Sequence, residues 1–231
     1  MKSLKDIKLV RSPNFSKYAN GKPKQFVKRA VVIHSTVGSL EGAVSWLTTS
    51  PEERKRKFGK KTYSSAHTIS DSGKFYQLID FEKRAWHAGG VTRMTDRAKR
   101  ILTGDDANNV TIGHEFANYF DRNRDGKVSD SEKRLADDVI EEFVDFMFLL
   151  EAESKKSKWL DIRADEKHLL THFDTNHHKP NMEADYLKIV ERMKARRGMD
   201  KSCEDKLEEQ ERITDVLKKL VHMLVKKLQI K

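Results

Sequence analysis

Residues 65–90 read SAHTISDSGKFYQLIDFEKRAWHAGG, and their pattern decides the fold. Polar and apolar residues alternate on either side of Asp71-Ser72-Gly73, a turn signal, so residues 63–79 are predicted to form a β-hairpin. The next ten residues, FEKRAWHAGG, carry two glycines and read as a loop. Upstream, AVVIHST (30–36) is a short β-branched run, predicted to be a buried strand with His34 at its C-terminal edge. Downstream, VTIGHEFA (110–117) reads as another strand, and LLTHFDTNHHKPN (169–181) as a strand running into a loop.

Helices are expected between these strands. Residues 39–49 are one. Ser50-Pro51-Glu52-Glu53 supplies an N-cap, a proline at the first helical position and a capping-box glutamate for a second. The basic run ERKRKFGKK that follows reads as a solvated face or loop. Residues 131–151 place Leu135, Val139, Phe143, Phe146, Met147 and Leu150 at three- and four-residue spacing, the stripe of an amphipathic helix. Residues 183–195 and 203–230 are also helical in pattern, and 1–28 read as a basic lead-in. Strands interleaved with helices, with histidines at strand ends, predict an α/β fold with its chemistry at one sheet edge.

The whole chain limits the function classes. It has 231 residues, 37% apolar and 35% charged, enough for one core under a charged surface. Its net charge of +10 suits an anionic partner such as nucleic acid, membrane lipid or a cell-wall polymer. The single cysteine, Cys203, excludes an internal disulfide framework. The N-terminus MKSLKDIKLVRS has no apolar core of a signal peptide, and no run is long enough to span a bilayer. Synthesis and folding in a reducing cytoplasm are therefore expected, with release by another agent if the protein acts outside.

There are nine histidines, and His34 and His172 each end a short apolar strand. Two such histidines are how a fold assembles a catalytic zinc site, which needs three protein ligands and an open fourth position. VVIHST, SSAHTISDSGKFYQLIDFEKRAWHAGG, NNVTIGHEF and THFDTNHHKPN together resemble the zinc-dependent N-acetylmuramoyl-L-alanine amidase family. That group includes phage lysins, bacterial cell-wall recycling amidases and peptidoglycan recognition proteins. The segments occur in the family's order over roughly residues 28–195. The resemblance implies a central mixed β-sheet flanked by helices.

It also implies residue roles. His34 and His172 match the two zinc histidines. Glu115 matches the acidic residue that activates the attacking water, and Lys179 the lysine that steadies the oxyanion. His67, Trp86 and His87 match positions lining the substrate groove; a buried structural imidazole is the alternative for His67. Asp174 is expected to orient a ligand histidine. Two departures stand out. Ala66 occupies a position where some phage members carry tyrosine, as in recycling-type enzymes that rely on the acidic residue instead. Asn181 stands where the family's third ligand is aspartate or cysteine, and a neutral amide brings no charge to offset the cation. Coordination through Asn181, substitution by Asp185, Glu183, His178 or His177, and a weakened site all remain open. Asn181 is favoured, with Asp185 in reserve.

One further motif is DRNRDGKVSDSE, residues 121–132. Asp121, Asn123 and Asp125 fill positions one, three and five of an EF-hand calcium loop, and Gly126 the sharp turn. Lys127 offers a backbone carbonyl, Ser129 a direct or water-bridged contact, and Glu132 a bidentate carboxylate. A helix is expected after the loop but a strand before it. A single EF-hand-like insertion is therefore predicted, binding calcium in a structural or regulatory role.

Beyond the resemblance, TDVLKKLVHMLVKKLQIK carries five lysines and one aspartate at helical apolar spacing. A basic amphipathic helix that engages an anionic envelope surface is one reading. A helix packing on the domain or on a second copy, giving an oligomer, is the other.

The expectation is thus a zinc amidase domain over 1–197, holding the calcium loop, and a C-terminal helix over 198–231. It would cut the bond between N-acetylmuramic acid and L-alanine in peptidoglycan, as a phage endolysin kept in the host cytoplasm until release. No nucleic-acid partner is expected. A catalytically impaired peptidoglycan-binding module and a cytoplasmic recycling amidase are the alternatives. A calcium sensor is disfavoured by the single loop.

Overall fold

The computed structural model describes residues 3–16, 27–36, 38–59, 62–117, 135–179 and 182–199, with Gln210 and Thr214. The calcium loop, Asn181 and nearly all of the C-terminal helix lie outside the described residues. The chain forms two compact units, Met1–Val190 and Glu191–Lys231. In the second, residues 191–199 are helical and Thr214 Oγ1 donates to the carbonyl of Gln210. Among the described residues no helix is long and apolar enough to cross a membrane.

In the first unit the strands are β1 (Lys8–Leu9), β2 (Phe15–Ser16), β3 (Ala30–Ser35), β4 (Thr68–Asp71), β5 (Lys74–Gln77), β6 (Arg84–Ala85), β7 (Thr111–Phe116) and β8 (Leu169–Thr171). The helices are α1 (Leu40–Thr48), α2 (Pro51–Phe58), α3 (Asp96–Ile101), α4 (Ala107–Val110), α5 (Asp137–Ser154) and α6 (His172–Thr175). Residues 183–190 are helical as well. One sheet runs in the order β1-β5-β4-β7-β3-β8, while β2 and β6 form a separate antiparallel pair. The β4–β5 hairpin is antiparallel and every other pairing in the large sheet is parallel, so the sheet is mixed. Gly73 takes φ 67° in the hairpin turn, where a side chain would be strained.

Residues 30–34 of β3 are all buried, as a strand covered on both faces requires. It lies between β7 and β8, with His34 opposite Glu115 and Ile33 opposite Thr171. The three parallel strands therefore end at the same sheet edge. On one face α1 buries Leu40, Ala43 and Leu47 with Ala66, Ile69 and Leu78. The helix α5 buries Val139, Ile140, Phe143, Val144, Phe146, Met147 and Leu150. Phe143 lies 4.7 Å from the His114 ring on β7, and Phe146 lies 4.9 Å from Phe75 on β5. Each such fully buried phenyl contributes about 1.5–3 kcal/mol. This helix starts at Asp137, later than the periodicity predicts; residues 131–134 are outside the described set.

The basic run is a solvated helix face rather than a loop: Glu53–Phe58 belongs to α2, capped by Ser50, whose hydroxyl accepts from Glu53 N–H, and Lys55, Arg56 and Lys57 are exposed. Within it Arg54 is fully buried, its guanidinium 4.6 Å from the Trp46 ring and donating to the carbonyls of Trp46, Thr62 and Ser64. The lead-in carries structure of its own. It supplies β1 and β2, and Asn14 Nδ2 donates to the carbonyls of Leu47 and Thr49, satisfying groups that the end of α1 leaves unpaired. Lys28 is also buried, its ammonium donating to the carbonyls of Lys83, Asn109 and Thr111 at 3.0, 2.8 and 3.1 Å. Burial, with Arg84 nearby, lowers its pKa to about 7.

Candidate active site

The edge where β3, β7 and β8 end opens into a cavity of about 300 Å³. His34, Glu115, His172 and Lys179 line it, with Trp46 and Met182 as apolar wall. The four residues matched to chemistry thus come together from separate parts of the chain. The His34 and His172 rings meet edge to face with centroids 4.2 Å apart.

His172 reaches the cavity because β8 stops one residue before it. Thr171 caps α6: its Oγ1 accepts from Asp174 N–H, and Asp174 Oδ2 accepts from Thr171 N–H at 2.8 Å. Arg97 fixes this corner. Its Nη1 donates to Asp174 Oδ2 at 2.9 Å, and its Nη2 donates to the Leu169 and Glu166 carbonyls. The expectation for Asp174 is therefore corrected. Its carboxylate binds Thr171, Thr95 and Arg97 rather than a histidine ring, and so acts on His172 through the backbone.

Burial sets the electrostatics. His34 is held well below the ordinary histidine range, first by desolvation and then by His172 and His87. His172 is lowered to about 4 by burial and by Lys179. Burial raises Glu115 to about 8, opposed by the Lys179 ammonium. Two convergent neutral imidazoles are the donor chemistry that zinc takes, so His34 and His172 fit the metal that the family implies. Among the described residues no group of three His, Cys, Asp or Glu could hold a metal ion. The favoured third ligand, Asn181, lies outside that set. Asp185, the reserve, is buried, and its Oδ1 accepts from Leu135 N–H at 2.9 Å; it does not line the cavity. His177 Nδ1 donates to the Arg93 carbonyl and is not in the lining either.

The groove expectation for His67 fails. The residue is fully buried, its Nδ1 accepting from Gly113 N–H at 3.0 Å and its Nε2 donating to the Lys83 carbonyl at 2.8 Å. His87 also turns inward. It is 7% exposed, with Nδ1 3.0 Å from His34 Nε2 and Nε2 3.1 Å from Thr111 Oγ1, so it contacts a site residue instead of lining the groove. Trp86 is exposed, with the Arg84 guanidinium 3.9 Å from its ring, and is not part of the cavity wall. The histidine-to-histidine contact and the Trp46 wall were not foreseen. The one signal for the first was Gly113: a Cβ there would sit 2.4 Å from His87 Cγ.

The family described as N-acetylmuramoyl-L-alanine amidase matches residues 23–180. Among solved structures, a selenomethionine derivative of AmpD superposes with a TM-score of 0.52 at 17% identity, covering 81% of this chain and 96% of that one. The PlyG catalytic domain gives a TM-score of 0.49 at 17% identity, covering 82% and 94%. N-acetylmuramoyl-L-alanine amidase LysC from Clostridium intestinale gives 0.46 at 14% identity, covering 81% and 97%. Comparison with the curated proteins gave no match. The family match spans well over half of the sequence and contains every strand of the cavity edge, so the chain belongs to the N-acetylmuramoyl-L-alanine amidase family.

Proposed function

We propose that this protein is a zinc-dependent hydrolase that cuts the amide between N-acetylmuramic acid and the L-alanine of the peptidoglycan stem. The observation that carries the reading is the meeting of His34, His172, Glu115 and Lys179 around one cavity at the parallel sheet edge. His34 and His172 would hold the metal through neutral ring nitrogens, with Asn181 completing the set. A zinc ion bound there would supply Lewis acidity for the scissile carbonyl and the attacking water. Glu115 would act in its ionised form, taking a proton from the water and returning it to the leaving amine; burial raises its pKa to about 8, and the Lys179 ammonium opposes that shift. The Lys179 ammonium would steady the negative charge that develops on the carbonyl oxygen.

The biological setting is a phage endolysin. The support is the net charge of +10, suited to an anionic wall. A second reading, a wall-binding module without catalysis, is favoured by Asn181 in place of a charged ligand. A recycling amidase is the third, favoured by Ala66. Calcium at residues 121–132, through Asp121, Asn123, Asp125, Lys127 and Glu132, would tie the end of β7 to the start of α5 and so help to hold Glu115.

The test is metal content together with release of L-alanine amino termini from purified peptidoglycan. One zinc per chain with cleavage supports the enzyme. Zinc-free protein that binds wall without cutting it supports the binding module. Lysis of whole cells from within, on co-expression with a membrane-permeabilising agent, separates the endolysin from a recycling enzyme active only on soluble fragments.

A further inference from the structure

We propose that His87 and Thr111 form a buried relay that fixes the tautomer of His34, leaving His34 Nδ1 as the nitrogen available to a metal. The inference rests on the reading of His34 as a metal ligand. It follows from donor and acceptor accounting. Thr111 Oγ1 lies 2.6 Å from the Ala107 carbonyl, which can only accept, so the threonine hydrogen is committed there. The same oxygen lies 3.1 Å from His87 Nε2 and can then only accept, so His87 carries its hydrogen on Nε2. His87 Nδ1 is left with a lone pair, and 3.0 Å away His34 Nε2 must donate to it. A neutral His34 that donates from Nε2 has its free lone pair on Nδ1.

The surroundings are built for this arrangement. Gly113 leaves the space that the His87 ring occupies, since a Cβ there would lie 2.4 to 2.7 Å from three ring atoms. Asn108 Oδ1 accepts from both His87 N–H and Ala88 N–H at 2.9 Å, which fixes the backbone behind the ring. The His87 side chain is a positioning group in this account, acting on the metal through His34 and not touching substrate. Partners of this kind typically govern metal affinity by 10- to 100-fold.

The experiment uses the full chain. Nitrogen-15 NMR of the metal-free protein reads the His34 tautomer directly, and competition with a zinc-chelating dye reads affinity. Wild type is expected to show His34 protonated on Nε2 alone. His87→Ala should give a mixed tautomer and zinc binding about 10- to 100-fold weaker. His87→Asn, whose side-chain oxygen replaces Nδ1, should restore most of that affinity, and Thr111→Val should weaken binding although it preserves shape. If His87→Ala binds zinc as tightly as wild type with the His34 tautomer unchanged, the relay is refuted. If His87→Ala does not fold, the tautomer in wild type and in Thr111→Val decides: Nδ1 protonation in wild type, or no change in the variant, overturns the proposal. A wild type that binds no zinc, or binds it equally after His34→Ala, refutes the metal-ligand reading instead, and the tautomer measurement stands apart from it.

Discussion

Gly113 and His87 offer a stringent check on the packing of the site. Gly113 sits in a strand conformation that an alanine adopts without strain, so Gly113→Ala is a purely steric perturbation. Its Cβ would lie 2.4 Å from His87 Cγ, whereas ordinary contact begins near 3.4 Å. The ring must therefore retreat by about 1 Å, more than two hydrogen bonds of 3.0 and 3.1 Å can follow together. Overpacking of this kind costs about 1–3 kcal/mol, and a buried polar group left unpaired adds about 1–3 kcal/mol. The sum, roughly 2–6 kcal/mol, should lower the melting temperature by roughly 4–24 °C at about 2–4 °C per kcal/mol. Placed on a His87→Ala background, the same alanine meets empty space and should be neutral or stabilising by about 0.4–1 kcal/mol. Urea unfolding of the four proteins gives the coupling directly. Additivity within about 0.5 kcal/mol would refute the reasoning, because it would mean that the two side chains do not compete for the space.

Other expectations follow from the same contacts. Burial raises Glu115 to about 8, above its unfolded value near 4.5, so its contribution to stability is complete below that unfolded value and is lost as pH rises through about 8. Metal-free wild type should therefore lose urea resistance between pH 5 and pH 8 more steeply than Glu115→Gln, and equal slopes would contradict the burial argument. Lys179→Met should lower kcat on peptidoglycan by about 10²–10³-fold with little change in melting temperature, if the ammonium serves the oxyanion. Arg54→Met strands the Trp46, Thr62 and Ser64 carbonyls and should cost at least about 1–3 kcal/mol by denaturant titration. Arg97→Met removes the donor to Asp174 and should weaken zinc binding and stability together, with Asp174→Asn giving a milder form of both.

The central strands and their histidines were legible in the sequence because β3, β7 and β8 are short apolar runs bounded by polar residues. The hairpin was legible because its turn needs the glycine at 73. Two-residue strands such as β1 and β2 leave no periodicity to read, so residues 1–28 read only as a basic lead-in, although β1 pairs with β5, β2 with β6, and Asn14 binds the end of α1. The basic run hid Arg54 for a related reason. A guanidinium satisfied by backbone carbonyls has no charged partner in the sequence to betray its burial. His67 and His87 match family positions equally well, but sequence does not say on which side of β7 a ring lies. The structure turns both toward Gly113, one bonding its N–H and the other packing over its Cα. Asp174 was read as the partner of a ligand histidine, yet its place in Thr-His-Phe-Asp is a capping-box position, which commits the carboxylate to Thr171.

We propose that one cavity at the end of β3, β7 and β8 holds a metal that serves amide hydrolysis. The most direct measurement is zinc stoichiometry together with cleavage of purified peptidoglycan, for wild type, His34→Ala and His172→Ala. About one zinc per wild-type chain and new L-alanine amino termini are expected, with both lost in each variant while the fold stays intact. Cleavage that survives in the variants, or a wild type that binds wall with neither zinc nor cleavage, would contradict the proposal.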